Sequence, residues 1–224
     1  MSTSDSYDNT TTMSEIIEDS LSLINAMDDG EPIPADMWNY GKRKLNQLMS
    51  FLSMNKGLWL IEEVSVTLTP GTESYTIGVG ETVDNPKPMQ ISHARETSDQ
   101  DIPIEVTSRE DYMSIPDKDL QARATTVYYH PGRDTGTLYV WPTGTSTKKT
   151  IQLTTQRPVQ DFDTEGNNPD FPKEWTLPIT YILATMIAPK YLGGEVPSAI
   201  SSQASVMYAA LTEFDEEKTS IFIQ

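Results

Sequence analysis

The residues best suited to chemistry lie in one acidic loop. Asp161-Phe162-Asp163-Thr164-Glu165-Gly166 sets oxygen ligands at alternate positions and ends on glycine, the spacing of the first half of an EF-hand calcium loop. A complete loop of that kind closes on a bidentate glutamate at its twelfth position, where this chain has Pro172, and it follows a helix where this chain has a predicted strand. A solvated acidic turn is the expectation, with no metal. His93 and His130 are the two histidines, far apart and each in a predicted strand, with no further ligands at metal spacing. They offer little help to a serine or threonine nucleophile, and no nucleophile elbow is present. Carboxylate pairs such as Asp28-Asp29 and Glu62-Glu63 are adjacent in sequence. Glycoside hydrolysis needs two carboxyls facing across a cleft at ~5–10 Å, which adjacency does not establish. Gly78-Val79-Gly80 lacks the third glycine and the following helix of a phosphate loop. No catalytic, cofactor-binding or metal-ligating residue is assigned. The basic run Lys42-Arg43-Lys44 reads as a solvated helix face, or as a contact for an acidic neighbour or DNA.

The elements that would carry these residues follow from periodicity. Residues 1–12 have almost nothing to bury and are expected to form a disordered tail. Thr12-Met13-Ser14-Glu15 has capping-box spacing, and Ile17, Leu21 and Ile24 make a short amphipathic helix. Asp28-Asp29-Gly30 is expected to end it, with Gly30 taking the left-handed turn. Pro32 and Pro34 introduce a second helix whose stripe is Met37, Gly41, Leu45, Leu48 and Leu52. From Gly57 the pattern changes to short β-branched runs: 58–69, 74–77, 89–94, 102–106, 126–130, 137–141 and 150–155. One short helix begins at Ser108-Arg109-Glu110-Asp111.

Helical spacing returns after the acidic loop. Pro172 suits a first turn, Thr176 is the expected N-cap with Pro178 just inside, and Ile179, Ile182, Leu183, Met186 and Ile187 form the stripe. Gly193-Gly194 breaks the chain before a last helix bearing Ile200, Ala204, Met207, Tyr208 and Leu211.

The fold class expected is α+β: a four-helix layer from the N- and C-terminal helix pairs, with a β-rich domain inserted between them. In residue ranges, 13–57 and 172–218 are the helical domain, 58–171 the inserted domain, and 219–224 an apolar C-terminal tail.

Composition narrows the partners. The formal net charge is −17, from 33 acidic and 16 basic residues. Gripping nucleic acid requires neutralising phosphates, so DNA binding as the main task is disfavoured, whereas an acidic wall suits a passage for DNA. There is no cysteine, which removes disulfides and thiolate chemistry. The N-terminus lacks the features of a secretory leader, and no apolar run approaches ~18 residues, so no membrane span is expected.

Three local patterns occur in a fixed order: the second helix running into Gly57-Leu58-Trp59-Leu60; then Ser108-Arg109-Glu110-Asp111-Tyr112, Ile115-Pro116-Asp117-Lys118 and Gly136-Thr137-Leu138-Tyr139-Val140-Trp141-Pro142; then Asp161-Phe162-Asp163, Asn168-Pro169-Asp170-Phe171-Pro172-Lys173-Glu174-Trp175 and Ala188-Pro189-Lys190-Tyr191. The chain thereby resembles the head-to-tail adaptor (tail accessory, packaged-DNA stabilisation) family of tailed phages, over roughly residues 14 to 215.

The resemblance implies a non-enzymatic virion protein at the head–tail connector, assembled in the host cytoplasm. It implies a ring, expected to be a dodecamer, that binds the phage portal protein and extends or closes the DNA channel after packaging. It also implies docking of the next tail or nozzle protein, with double-stranded DNA passing through unread. Partner contacts are expected at Ile221, Phe222 and Ile223 and at Lys42, Arg43 and Lys44. Asn168, Pro169, Asp170, Phe171, Pro172, Trp175 and Trp141 are expected to be structural. A virion-associated peptidoglycan hydrolase, or a module binding cell-surface glycans, stays open as the alternative.

Overall fold

The computed structural model describes residues 11–28, 30–54, 59–97, 100–144 and 149–214. It is mixed α+β, with five α-helices and an eight-stranded sheet among those residues. The chain divides into two compact units, Met1–Leu58 with Val159–Gln224, and Trp59–Pro158.

In the first unit, α1 (Met13–Leu23) starts from a complete capping box. The Glu15 carboxylate accepts from the Thr12 N–H at 2.7 Å, and the Thr12 hydroxyl accepts from the Glu15 N–H at 3.4 Å. Its buried face is Met13, Ile16, Ile17, Ser20 and Leu21. The helix stops earlier than Gly30. Asn25 takes the left-handed conformation (φ 51°), with Asn25 N–H on Ser22 O at 2.9 Å and Ala26 N–H on Leu21 O at 3.0 Å. That is a Schellman closure, which asparagine tolerates because its short side chain makes positive φ inexpensive. Gly30 (φ 82°) instead shapes the link to α2 (Ala35–Met54). On α2 the predicted stripe is buried at Gly41, Leu45, Leu48 and Leu52. Gly41 is needed there, because a Cβ would come within 2.7 Å of Ile17 Cγ2, so its bareness allows α1 and α2 to approach closely.

The last pair begins with a 3₁₀ turn, Lys173–Trp175, running directly into α4 (Thr176–Tyr191). Thr176 is therefore not the N-cap. It is already helical (φ −55°, ψ −52°), because the preceding turn satisfies its N–H on Lys173 O. Pro178 falls in the first turn of α4, where a missing N–H costs nothing. Ile179, Leu183, Ala184, Ile187 and Ala188 are fully buried, and α4 packs against α1, α2 and the final helix α5 (Ser198–Phe214). The Ser20 hydroxyl, also buried, lies 2.7 Å from Ile16 O and 3.0 Å from Thr180 O, so the α1–α4 contact leaves that polar group satisfied.

The second unit holds strands β1 (Trp59–Leu68), β2 (Ser74–Gly78), β3 (Val83–Asp84), β4 (Gln90–Thr97), β5 (Ile102–Val106), β6 (Thr126–Pro131), β7 (Gly136–Trp141) and β8 (Lys149–Pro158), with α3 (Arg109–Ser114) between β5 and β6. Their order in the sheet is β1-β8-β4-β5-β6-β7-β2-β3, antiparallel except for β5–β6 and β2–β3. Alternation along β1 sends Val64, Val66 and Leu68 inward, where they meet Tyr75, Ile77, Val127, Leu138, Ile151 and Leu153 in one core. The two outermost strands, β1 and β3, line one cleft of about 360 Å³, so the sheet curls almost to closure. At its rim the Tyr75 hydroxyl accepts from Thr69 N–H at 2.7 Å. The two-residue β3 has no counterpart among the predicted strands; a run that short has no period to read.

Candidate functional site

The acidic loop and its flanks form a clasp on the helices. Asn46 on α2 reads the backbone of Phe162 twice: its amide nitrogen donates to Phe162 O and its amide oxygen accepts from Phe162 N–H, both at 3.0 Å. Phe162 meets Phe171 edge to face, with ring centroids 6.4 Å apart, and both are buried in the helical core with Trp175 and Val159. Residues 159–171, expected with the inserted domain, belong to the helical unit because these aromatics bury there. Within the loop, the Asn167 side-chain oxygen accepts from both Asp163 N–H (3.0 Å) and Thr164 N–H (2.7 Å). Its carbonyl accepts from Met13 N–H at 3.1 Å, at the start of α1. The Asp170 carboxylate accepts from Gln160 N–H at 3.2 Å. The EF-hand spacing is thus built into an asparagine-capped turn. Among the described residues no three His, Asp or Glu side chains converge as a metal site.

Replacing Asn46 with alanine should lower the unfolding free energy by about 1–3 kcal/mol, since a half-buried N–H and C=O would lose their partner together. Urea titration followed by circular dichroism measures it. Asn46→Asp, which keeps the acceptor but not the donor, should fall between wild type and Asn46→Ala.

The second pattern converges on the outer face of β6 and β7. Tyr112 of α3 lies against Tyr128 and Tyr139, with centroids 5.7 and 5.4 Å away, and Lys118 Nζ sits 4.9 Å from the Tyr112 ring. The same ammonium donates to Tyr112 O and Ile115 O, both at 3.0 Å, and Trp141 Nε1 donates to Asp117 O at 2.7 Å. Ser108, Tyr112, Asp117, Lys118 and Trp141 are therefore parts of one structural cluster. Burial raises the Tyr112 phenol above its ordinary range, helped by the Glu73 carboxylate 3.1 Å away. Burial alone raises Tyr129, which donates to Pro88 O at 2.7 Å. Both stay protonated donors at neutral pH. His93 and His130 are exposed on the sheet.

Charge is distributed unevenly. Six ion pairs lie in the sheet unit; the most buried carboxylate, Glu96, meets Arg123 at 3.2 Å and Lys149 at 3.6 Å. The cations around Tyr40 in the helical unit behave differently. Arg43 Cζ, Lys44 Nζ and Lys190 Nζ stand 5.5, 5.7 and 4.1 Å from the Tyr40 ring centroid. Lys190 also lies 4.8 Å from the ring of Tyr191, which packs edge to face on Tyr40. Such contacts contribute ~0.5–1 kcal/mol each at exposed sites. They orient the cations without neutralising them.

Lys42 is separate from this group: its ammonium donates to Asp163 O at 2.9 Å and ties the clasp to α2. Sequence reading saw the basic run but missed Lys190 and Tyr191 as its companions. They come from α4, some 150 residues downstream, and only their place in the third pattern marked them. Ile221, Phe222 and Ile223 lie outside the described residues.

A family model described as SU10 adaptor protein matches residues 11–220, which span both units. No curated protein matches the chain.

Proposed function

The chain belongs to the SU10 adaptor protein family of phage head-to-tail adaptors, and on that premise we propose that it binds the portal as a ring, continues the DNA channel and carries the next tail component. Membership itself makes it a structural component of the virion. The observation that carries the finer reading is the extent of the match: it takes in the helical unit, the sheet unit and the return of the chain between them.

In this reading α1, α2, α4 and α5 act as one layer, and the ring assembles in the host cytoplasm, twelve copies being the family expectation. The acidic excess of 33 carboxylates over 16 cations supports a passage from which DNA is repelled. The apolar end Ile221-Phe222-Ile223 supplies an anchor that gains its buried surface from the portal.

The deciding experiment mixes the protein with its phage's portal and weighs the product by native mass spectrometry. The expected product carries one adaptor per portal subunit, and a chain ending at Glu217 should bind more weakly. Absence of any complex sinks the proposal.

A further inference from the structure

We propose that the cation cluster on Tyr40 receives the acidic face of α1 from a second copy of this chain, so that adjacent copies join head to tail. The inference rests on the ring reading above and names the surfaces that would make the ring.

The first observation is frustration of charge. Arg43, Lys44 and Lys190 converge within 6 Å of one tyrosine ring, and none of them forms an ion pair among the described residues. Arg43 and Lys190 are exposed. Three like charges gathered by aromatic faces repel one another, and a carboxylate surface would relieve that repulsion.

The second observation is that this chain carries the complement. Residues 1–41 include nine carboxylates and no lysine or arginine. On α1 they are Glu15, Glu18 and Asp19, with Glu15 and Asp19 exposed. Asp19 also borders, with Lys173, Glu174, Leu177 and Tyr181, a cleft of about 810 Å³ between α1 and the start of α4, and the Glu15 carboxylate also serves the cap of α1.

The third observation is placement. The cleft flanks the N-terminal end of α4, whereas Lys190 and Tyr191 close its C-terminal end. Sixteen helical residues span about 24 Å, so the cleft that Asp19 borders and the Lys190 end of the patch stand well apart in one copy. Complementary patches at opposite ends of one unit make a heterologous contact, which closes into a ring when the rotation per copy permits.

The test mixes ¹⁴N- and ¹⁵N-labelled full-length protein, with and without portal, and applies a zero-length carbodiimide. Mixed-isotope peptides joining Lys44 or Lys190 to Glu15, Glu18 or Asp19 are expected. Arg43→Glu with Lys190→Glu should weaken self-association at least about tenfold, and Glu18→Lys with Asp19→Lys in the partner copies should restore it. Far-ultraviolet circular dichroism verifies that these surface variants fold. A full ring on the portal without those cross-links overturns the inference and leaves the ring reading intact. Cross-links between free copies with no portal complex uphold the contact and reject the portal reading. If neither appears, both fail. Protection of the same lysines by duplex DNA, with no cross-links between copies, would assign the patch to phosphate and overturn the inference.

Discussion

Truncating Leu183 to alanine should lower the unfolding free energy by about 2–5 kcal/mol. Leu183 is fully buried at the middle of α4, the helix that packs on α1, α2 and α5. Its neighbours on that face are Ile179 and Ile187 one turn either way, with Ala184 beside it, all fully buried. Alanine would leave a cavity that these rigidly packed helices refill only partly, so the cost exceeds simple transfer of the lost carbons to water. Leu177 lies six residues earlier on the same helix and is 57% exposed. Leu177→Ala should therefore stay within about 0.5 kcal/mol of wild type. Equal losses in the two variants, by urea unfolding at 222 nm, would contradict the burial described for α4.

The second large effect is expected at Gly136, where alanine should cost on the order of 3 kcal/mol. A Cβ there would overlap the Tyr129 phenol, which lies across this glycine from the neighbouring strand. The phenol cannot swing away cheaply, because its hydroxyl donates to Pro88 O at 2.7 Å and the residue is buried. Overpacking contributes roughly 1–3 kcal/mol, and a stranded carbonyl adds a comparable amount. Tyr129→Leu removes the clash, so the double variant Gly136→Ala/Tyr129→Leu should lose much less than the sum of the single variants. Additive losses, measured by urea midpoints, would show that Tyr129 and Gly136 do not share this space.

Local signals were legible wherever one residue and its near neighbours decide the outcome. The capping box at Thr12 and Glu15, the start of α3 at Ser108 and the β-branched run that carries Val64, Val66 and Leu68 all formed as their chemistry dictates. Two local readings failed for equally local reasons. Asn25 closed α1 before Gly30 was reached, and the Lys173–Trp175 turn made Thr176 the first residue of α4 instead of its N-cap. Both places held competing signals a few residues apart, and small differences in backbone energy chose between them.

The sequence by itself determined a cysteine-free, strongly acidic α+β chain, with helices at both ends and β structure between them. Its ordered patterns also placed it with head-to-tail adaptors, the family that the match over residues 11–220 establishes. Those properties rest on composition and short-range periodicity, which need no partner in space. The tertiary structure alone decided which distant groups meet: Asn46 with Phe162, Glu96 with Arg123 and Lys149, and Arg43 and Lys44 with Lys190 around Tyr40. Each is a contact between side chains on separate elements, whose distance depends on helix packing and strand register, and neither quantity can be read from spacing along the chain.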